Sequence, residues 1–287
     1  MYMHGCVVLF LKKPRSLKRG FCLWELNLKI VYLGDVVARS GREKVIQTIS
    51  VIKNDWHWDA LIVNVDNAAH GFGCTPKIAR QFFEARASAL VTGDHVWDQK
   101  DFTAYLNESN RIVRPLNYSD NLAGVGARVI PLDNGQKLLI AEVVGRVFMA
   151  EVASPLEKLE QLLTQYKLTD NVDAIFVDIH AEATAEKQAL AHYFDGKISA
   201  IIGSHTHIPT ADAMILPQGT AYQTDVGMCG DCSGVIGFKT AAPIARLKNP
   251  ASNLRLEPGE GQATIHGVFI ETDDKSGLAV KIVPLTY

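Results

Sequence analysis

The side chains best suited to chemistry in this sequence are aspartate, asparagine and histidine residues that follow short apolar segments. His205 and His207 stand on either side of one residue, so both imidazoles can reach neighbouring positions of a metal centre from a loop. The full set of candidates is Asp35, Asp66, Asn67, Asp94, His95, His180, His205 and His207. Imidazole and carboxylate together suit Zn, Mn or Fe(II), and they exclude a calcium cage, which uses oxygen ligands only.

The number of candidates favours two metal ions over one. A single catalytic zinc takes about three protein ligands and keeps one position open. The larger set here suits two ions about 3.5–4 Å apart, bridged by a carboxylate and a hydroxide, which activate water and stabilise the charge on a phosphoryl group. His95 directly follows a candidate ligand, Asp94, so it can serve as a general acid instead of a ligand.

Each candidate taken alone also has an ordinary structural explanation. Asp35 and Asp66 can cap the helices that follow them, and a single histidine at a strand end is more often a hydrogen-bonded polar residue than a ligand. The metal-site hypothesis therefore depends on the joint occurrence of these residues at successive strand ends.

The elements that must position these residues are strands alternating with helices. Apolar segments predict strands at residues 28–33, 60–65, 89–92, 137–144, 174–177 and 198–202. Thr75-Pro76, an N-cap followed by a first-turn proline, opens a predicted helix, and the chain ends in a predicted hairpin around residues 274–277. The carboxyl ends of strands in an open α/β sheet share one edge where ligands bind, so we expect the candidates to converge in a single α/β domain.

The composition excludes several classes of protein. With 47% hydrophobic residues the chain is not intrinsically disordered, and a net charge of −2 gives no electrostatic case for binding duplex nucleic acid or an anionic membrane. The longest apolar run, residues 6–11, is far below the ~20 residues that span a bilayer. Five cysteines, an odd number, do not form a disulfide framework. We therefore expect a cytoplasmic globular protein.

Residues 1–27 differ from the rest of the chain. Their basic residues follow an apolar stretch, whereas a secretory signal places its charges before it. We expect a non-catalytic extension over 1–27, with a targeting or partner-binding arm as the alternative, and a single domain over 28–287.

The candidates lie in motifs that resemble the YmdB-type bacterial metallophosphoesterases of the calcineurin-like superfamily. The matching segments are Gly34-Asp35 and residues 64–69, 71–73, 93–100, 145–149, 178–184, 203–207, 210–212 and 224–228. The resemblance covers the chain from about residue 28 onward. It implies a four-layered α/β/β/α sandwich, a dinuclear centre of divalent transition metals (Fe, Mn or Zn), and phosphodiesterase activity on 2′,3′-cyclic nucleotides.

The resemblance assigns ligands to the first ion, and one of them departs from the family pattern. Asp35 and His207 would hold this ion with help from Asn67, and Asp66 would bridge both ions. The family usually has Glu where this chain has Asp66, whose side chain is one methylene shorter. Metal binding is expected to survive this change, and the catalytic rate is what it places in doubt.

The resemblance also assigns the second ion and the general acid. Asp94, His180 and His205 would hold the ion, and His95 would protonate the departing oxygen. The family has Asn where this chain has Asp94, which adds a negative charge beside the ions.

Three further features have weaker signals. Arg146 can contact a substrate phosphate as a planar bidentate donor or form a structural ion pair. Glu182 can orient a metal ligand or simply place a charge at a helix N-terminus. Cys229 and Cys232 have the spacing of redox or zinc motifs, but ordinary loop thiols are the favoured interpretation.

The predicted function is a dinuclear metal-dependent phosphodiesterase that acts on small phosphodiesters, with a bridging hydroxide as nucleophile and His95 as general acid. The alternatives are a phosphomonoesterase or nuclease on the same site, and a weakly active metal-binding regulator. The predicted partner is a small phosphodiester or nucleotide substrate, and homo-oligomerisation is left open.

Overall fold

A computed structural model describes residues 27–287, which form a mixed α/β fold. The strands β1 to β15 are Lys29–Leu33, Asp35–Val36, Ala60–Asn64, Ala89–Val91, Ile112–Val113, Ala127–Pro131, Lys137–Val144, Ala174–His180, Ala200–Ser204, Met214–Ile215, Ala221–Gln223, Met228–Asp231, Ala263–Thr264, His266–Thr272 and Ala279–Thr286. The helices α1 to α6 are Ala38–Trp56, Pro76–Glu84, Lys100–Glu108, Pro155–Gln165, Thr184–Tyr193 and Ala241–Lys248. The α/β class predicted from the sequence is confirmed, while the predicted extension lies, apart from its last residue, outside the described residues.

The first sheet has six strands in the order β15-β14-β1-β3-β4-β5. Strands β1, β3, β4 and β5 are parallel, with Tyr32 opposite Ile62 and Ile62 opposite Ala89. The C-terminal hairpin of β14 and β15 adds two antiparallel strands beside β1, as the sequence predicted. The parallel register places the carboxyl ends of β1, β3 and β4 side by side.

The second sheet has the order β10-β11-β9-β8-β7-β6. Strands β7, β8, β9 and β11 are parallel, and antiparallel strands close both edges. The register pairs Val144 with His180 and His180 with Ser204. A small third sheet, β13-β12-β2, pairs Met228 with Asp35.

Alternate residues of the central strands enter different cores. Ile30 and Tyr32 of β1 belong to a buried cluster with residues of the second sheet, and the Tyr32 ring centroid lies 5.1 Å from that of Phe176. Val31 and Leu33, on the other face of β1, pack with helices α1 to α3. Strands buried on both faces explain why these segments are apolar without alternation.

A third core covers the outer face of the second sheet. Leu159 and Leu162 of α4 and Leu190 of α5 are buried there with residues of β7, β8 and β9. Helices α4 and α5 therefore pack on one face of the second sheet. Within residues 27–287, none of the helices combines the length and the apolar character that a membrane crossing requires.

The candidate residues come from strands of two sheets, whereas the apolar pattern alone suggested the edge of one open sheet. An apolar strand has the same sequence pattern whichever sheet it joins, so the pattern does not assign it. The short strands β2, β5, β6 and β10 to β13 and the helices α3 and α6 were not predicted from the sequence. The predicted helix N-cap at Thr75 is confirmed, since its hydroxyl accepts from the backbone N–H of Ile78 at the start of α2.

Candidate metal centre

The candidate residues meet where the carboxyl ends of strands from both sheets come together. Asp35 begins β2 directly after β1, Asp66 and Asn67 follow β3, and Asp94 and His95 lie in the loop after β4. The second sheet supplies His180 as the last residue of β8, and His205 and His207 from the loop after β9.

Among the described residues, three groups of side chains have possible ligand atoms within 4.8 Å of one another. The groups are Asp94 with His180 and His205, Asp35 with Asp66 and His180, and Asp66 with Asp94 and His95. Each group shares at least one member with another. The structure therefore brings six of the eight sequence candidates into one continuous cluster.

His180 lies at the centre of this cluster. Its Nε2 atom is 3.0 Å from Asp94 Oδ1, 3.1 Å from His205 Nδ1 and 3.5 Å from Asp66 Oδ2. Donors from both sheets thus approach one another closely enough to share a cation. The charge of His180 is one reason that the pKa of His205 is lowered to about 3, after burial, which is the larger cause.

Two buried carboxylate oxygens have no hydrogen-bond partner. Asp35 Oδ1 and Asp66 Oδ2 are both inaccessible to solvent and unpartnered. Burial raises the pKa of Asp66 to about 7, against the lowering effect of the neighbouring His180. Buried polar atoms almost always have partners, so these oxygens fit a site that receives a cation.

The backbone makes room for this close approach at Gly93. A Cβ atom built on Gly93 would lie 2.5 Å from Asp66 Cγ and 2.6 Å from His180 Nε2. Any other residue there would push the two candidate ligands apart. The glycine before Asp94 is therefore part of the site, for a steric reason that the sequence motif alone does not give.

The surroundings of Asp94 favour its ionised form. Burial opposes its ionisation, but the hydrogen bond with His180 and the charges of His180, His95 and His205 outweigh burial and lower its pKa. Asp94 and Asp66, the two positions that depart from the family pattern, thus differ in their protonation.

A hydrogen-bonded chain orients His180 from behind. Tyr32 Oη and Asn64 Nδ2 donate to Asp178 Oδ2 at 2.7 and 3.2 Å, and Ser204 Oγ donates to Asp178 Oδ1 at 2.7 Å. Because the hydroxyl proton of Ser204 is donated to Asp178, Ser204 Oγ can only accept a hydrogen bond from His180 Nδ1, which is 2.9 Å away. Once Nε2 has lost its proton, His180 can offer the Nε2 lone pair to a metal.

His95 lies at the open side of the cluster. Its backbone N–H donates to Asp66 Oδ1 at 3.0 Å, and its Nδ1 is 2.9 Å from Asp98 Oδ2. Burial lowers the pKa of His95, but the charges of Asp66, Asp94 and Asp98 and the hydrogen bond to Asp98 raise it further, so the net shift is upward. A protonated, partly exposed imidazole is the form that a general acid requires.

Asn67 and His207 form a pair beside the cluster. His207 Nε2 lies 3.1 Å from Asn67 Oδ1, while His207 Nδ1 is 2.9 Å from the carbonyl oxygen of Ile236. Asn67 Nδ2 donates to the carbonyl oxygen of Gly71 at 3.0 Å. The two atoms that would hold a metal therefore face each other, although His207 is in none of the three groups.

Comparison with known proteins identifies the family. A family model described as "YmdB-like protein" matches residues 31–285. The chain belongs to the YmdB-like family.

Relatives and solved structures match nearly the whole of this YmdB-like chain. The 2′,3′-cyclic-nucleotide 2′-phosphodiesterase of Bacillus subtilis (strain 168) is 38% identical over 255 residues, covering 89% of this chain and 95% of its own. The crystal structure of a hypothetical protein from Thermus thermophilus has a TM-score of 0.84 at 37% identity, covering 91% of this chain and 99% of its own. That of a novel phosphatase from Mycoplasma pneumoniae has a TM-score of 0.84 at 33% identity, covering 91% and 93%.

The residues with weaker sequence signals in this YmdB-like chain lie at different distances from the candidate metal centre. Arg146 lies on an exposed loop after β7, where its backbone N–H donates to the carboxylate of Glu186 at 3.0 Å. Glu182 Oε2 is 3.4 Å from His205 Nε2, which places this carboxylate beside one of the candidate ligands. Cys229 and Cys232 are free thiols, and burial raises the pKa of the Cys229 thiol well above its usual value.

Two further residues beside the site were missed in the sequence. Lys187 of α5 and Asp225 after β11 form a fully buried ion pair, with Lys187 Nζ 3.0 Å from Asp225 Oδ2. Asp225 lies within a motif that supports the family resemblance, but Lys187 has no motif around it. A lysine at a helix position with a buried face was the signal that could have found it.

Proposed function

We propose that this protein is a metal-dependent phosphoric diester hydrolase that cleaves small phosphodiesters such as 2′,3′-cyclic nucleotides. The observation that carries the proposal is the buried cluster around His180, in which Asp35 Oδ1 and Asp66 Oδ2 have no hydrogen-bond partner. The name of the Bacillus subtilis relative, 2′,3′-cyclic-nucleotide 2′-phosphodiesterase, supports the substrate class.

The donor set favours two divalent transition metals (Fe, Mn or Zn) over one. Asp94, His180 and His205 would hold one ion, and Asp35 would hold the other together with the facing pair of Asn67 and His207. Asp66, which belongs to two of the three groups, would be shared between them. When bound, such ions supply a water nucleophile at neutral pH and neutralise charge on the phosphoryl group.

The protein's own groups handle the leaving-group proton. The surrounding carboxylates raise the pKa of His95, which favours its protonated form. Asp98 accepts from Nδ1, which fixes the ring and leaves the proton on Nε2 for transfer to the departing oxygen. Phe72, whose ring meets that of His95 edge-on with centroids 5.1 Å apart, restricts the ring further.

We also propose the calcineurin-like, four-layered α/β/β/α arrangement, supported by one core between the sheets and two cores beneath helices. A single catalytic domain over residues 28–287 follows, because no candidate precedes Asp35. Deleting residues 1–27 should leave metal content and activity unchanged, which purification and assay of the truncated chain would measure. An insoluble or inactive truncated protein would contradict this domain boundary.

The function is tested by hydrolysis of matched esters with added Mn²⁺. Bis(4-nitrophenyl) phosphate and a 2′,3′-cyclic nucleotide should be hydrolysed faster than 4-nitrophenyl phosphate, and a chelator should abolish the activity. Preference for the monoester would favour a phosphomonoesterase, and oligonucleotide cleavage would favour a nuclease. Metal binding without turnover of any ester would leave the regulator alternative.

A further inference from the structure

The buried lysine of α5 contacts the loop that carries two of the candidate ligands. Lys187 has no exposed surface, and its Nζ atom donates to the carbonyl oxygen of Ser204 at 2.6 Å and to Asp225 Oδ2 at 3.0 Å. A lysine is almost never fully buried unless it is paired, because removing its charge from water is costly. The fold therefore retains this charge for a specific contact.

Asp225 contacts the same loop at Thr206. Its Oδ2 atom accepts from the backbone N–H of Thr206 at 3.0 Å and from Thr206 Oγ1 at 2.8 Å, and its Oδ1 atom accepts from the backbone N–H of Gly227. The ion pair thus holds residue 204 through its carbonyl and residue 206 through its amide and hydroxyl. His205 lies between these two points, and His207 directly follows them.

The loop needs such support because its backbone is strained. His205 has a φ of 91° and His207 a φ of 66°, both in the left-handed region that residues with a Cβ atom rarely adopt. The neighbouring strand is also packed closely, since a Cβ on Gly203 would lie 1.8 Å from the carbonyl oxygen of Thr224. This conformation persists only where surrounding contacts determine it.

We infer that the Lys187–Asp225 ion pair is a positioning device that holds His205 and His207 in the geometry needed to bind metal. Neither residue contacts a candidate ligand side chain, and each acts through Ser204 or Thr206. The pair carries no net charge, and its hydrogen bonds reach the loop at Ser204 and Thr206. This inference rests on the proposed function, since it gives these histidines their role as ligands.

The test uses an isosteric pair of variants of the full-length protein. Thr206→Val removes the hydroxyl that donates to Asp225 and keeps the shape, while Thr206→Ser keeps the hydroxyl. Affinity for Mn²⁺ or Zn²⁺ is measured by chelator competition on metal-free protein. We expect Thr206→Val to lower the affinity roughly 10-fold or more, since a hydrogen bond to a charged group is lost, and Thr206→Ser to bind like the wild type.

Asp225→Asn extends the test to the ion pair itself, and a distant variant controls for stability. Asp225→Asn should lower the metal affinity more than Thr206→Val does. Leu162→Ala, on the buried face of α4, should lower the melting temperature while leaving the metal affinity of the folded protein unchanged.

The outcomes separate the inference from the proposed function. If the wild type binds two ions and the Thr206→Val and Asp225→Asn variants melt earlier but bind metal equally well, the pair only stabilises the fold, and the inference is wrong. A wild-type protein that binds no metal would overturn the proposed function, and this inference with it.

Discussion

The first sheet and the second sheet contribute different chemistry to the candidate metal centre. The carboxylate half, from the first sheet, buries Asp35 and Asp66 with one unpartnered oxygen each. In the imidazole half, from the second sheet, His180 has a hydrogen-bonding neighbour at both ring nitrogens. The imidazole half is therefore preorganised by the protein, whereas the carboxylate half lacks partners that a cation would supply.

The two halves should therefore affect metal affinity and fold stability differently. A preorganised ligand contributes to metal affinity because little is lost in ordering it. A buried carboxylate without a partner destabilises the metal-free fold, and bound cations would remove that cost. Changes in the imidazole half should thus act mainly on metal binding, and changes in the carboxylate half should act on stability as well.

The largest effect is expected at the centre of the imidazole half. His180→Ala should reduce bound metal from about two ions per chain to about one, and lower kcat by roughly 10³-fold or more, since a metal ion supplies several kcal/mol of transition-state stabilisation. Elemental analysis and kinetics measure both effects. His192→Ala, at an exposed position of α5, is the matched control and should behave like the wild type. Unchanged metal content in His180→Ala would show that His180 is not a metal ligand.

The next effect concerns His95, which borders the carboxylate half. His95→Ala should retain the metal and lose roughly 10²–10⁴-fold in rate toward esters with poor leaving groups. The loss should shrink for nitrophenyl esters, whose departing oxygen hardly needs a proton. Rates for the two ester classes, compared at equal metal occupancy, measure the difference. An equal loss for both classes would show that His95 positions or binds the substrate instead.

The division between the two halves also marks how far the sequence could predict the site. Asp66, Asp94 and His205 follow strands that are buried on both faces, so their positions were readable from apolar segments and the polar residues that end them. The apolar pattern alone did not assign these strands to two sheets, because the assignment depends on long-range pairing. Only the family resemblance implied a sandwich of two sheets.

The supporting residues were the least predictable part. Asp178 lies within β8, and it is a buried acceptor only because Tyr32 and Ser204, far apart in sequence, both donate to it. Lys187 falls on the helix face that Leu190 and Ala191 also bury, but its partner Asp225 is distant in sequence. A local pattern can thus indicate that such a residue is buried, but it does not identify the partner that gives the residue its role.

A third, smaller effect tests the cost carried by the carboxylate half. Asp66→Asn should raise the melting temperature of the metal-free protein above pH 7, by about 2–4 °C for each kcal/mol recovered, because it removes a buried charge. The same variant should lose the stabilisation that Mn²⁺ gives the wild type. Asp98→Asn, at a more exposed carboxylate, is the control and should change the metal-free melting temperature little.

The destabilisation caused by the buried Asp66 carboxylate should increase with pH. Burial raises the pKa of Asp66 from 3.8 to about 7, so the folded state holds the proton more tightly than the unfolded state. The corresponding stability is present below about pH 4 and is lost as the pH rises to about 7 and above. Thermal melts of metal-free protein across this range should show the decline in the wild type and a weaker decline in Asp66→Asn. Parallel profiles would mean that Asp66 is not the source.

The smallest effect is expected at Asp94, the carboxylate that the imidazole half already satisfies. Two divalent ions carry four positive charges, and Asp35, Asp66 and Asp94 offset three of them. After Asp94→Asn only two are offset, so the site should attract a phosphodiester anion more strongly and lower KM by about fivefold, equivalent to ~1 kcal/mol. The opposing effect is weaker metal retention, because an amide holds a cation less tightly than a carboxylate.

The charge argument requires that Asp94 is ionised before it is substituted. A protonated Asp94 would make the substitution neutral, but the hydrogen bond and charge of His180 lower the pKa of Asp94, so it is ionised in the metal-free protein. The measurement is kcat, KM and metal occupancy of both forms across pH 6–9 at saturating Mn²⁺. If Asp94→Asn is fully loaded with metal yet much less active at every pH, Asp94 is an adapted catalytic ligand. Its negative charge would then assist the reaction instead of weakening substrate binding.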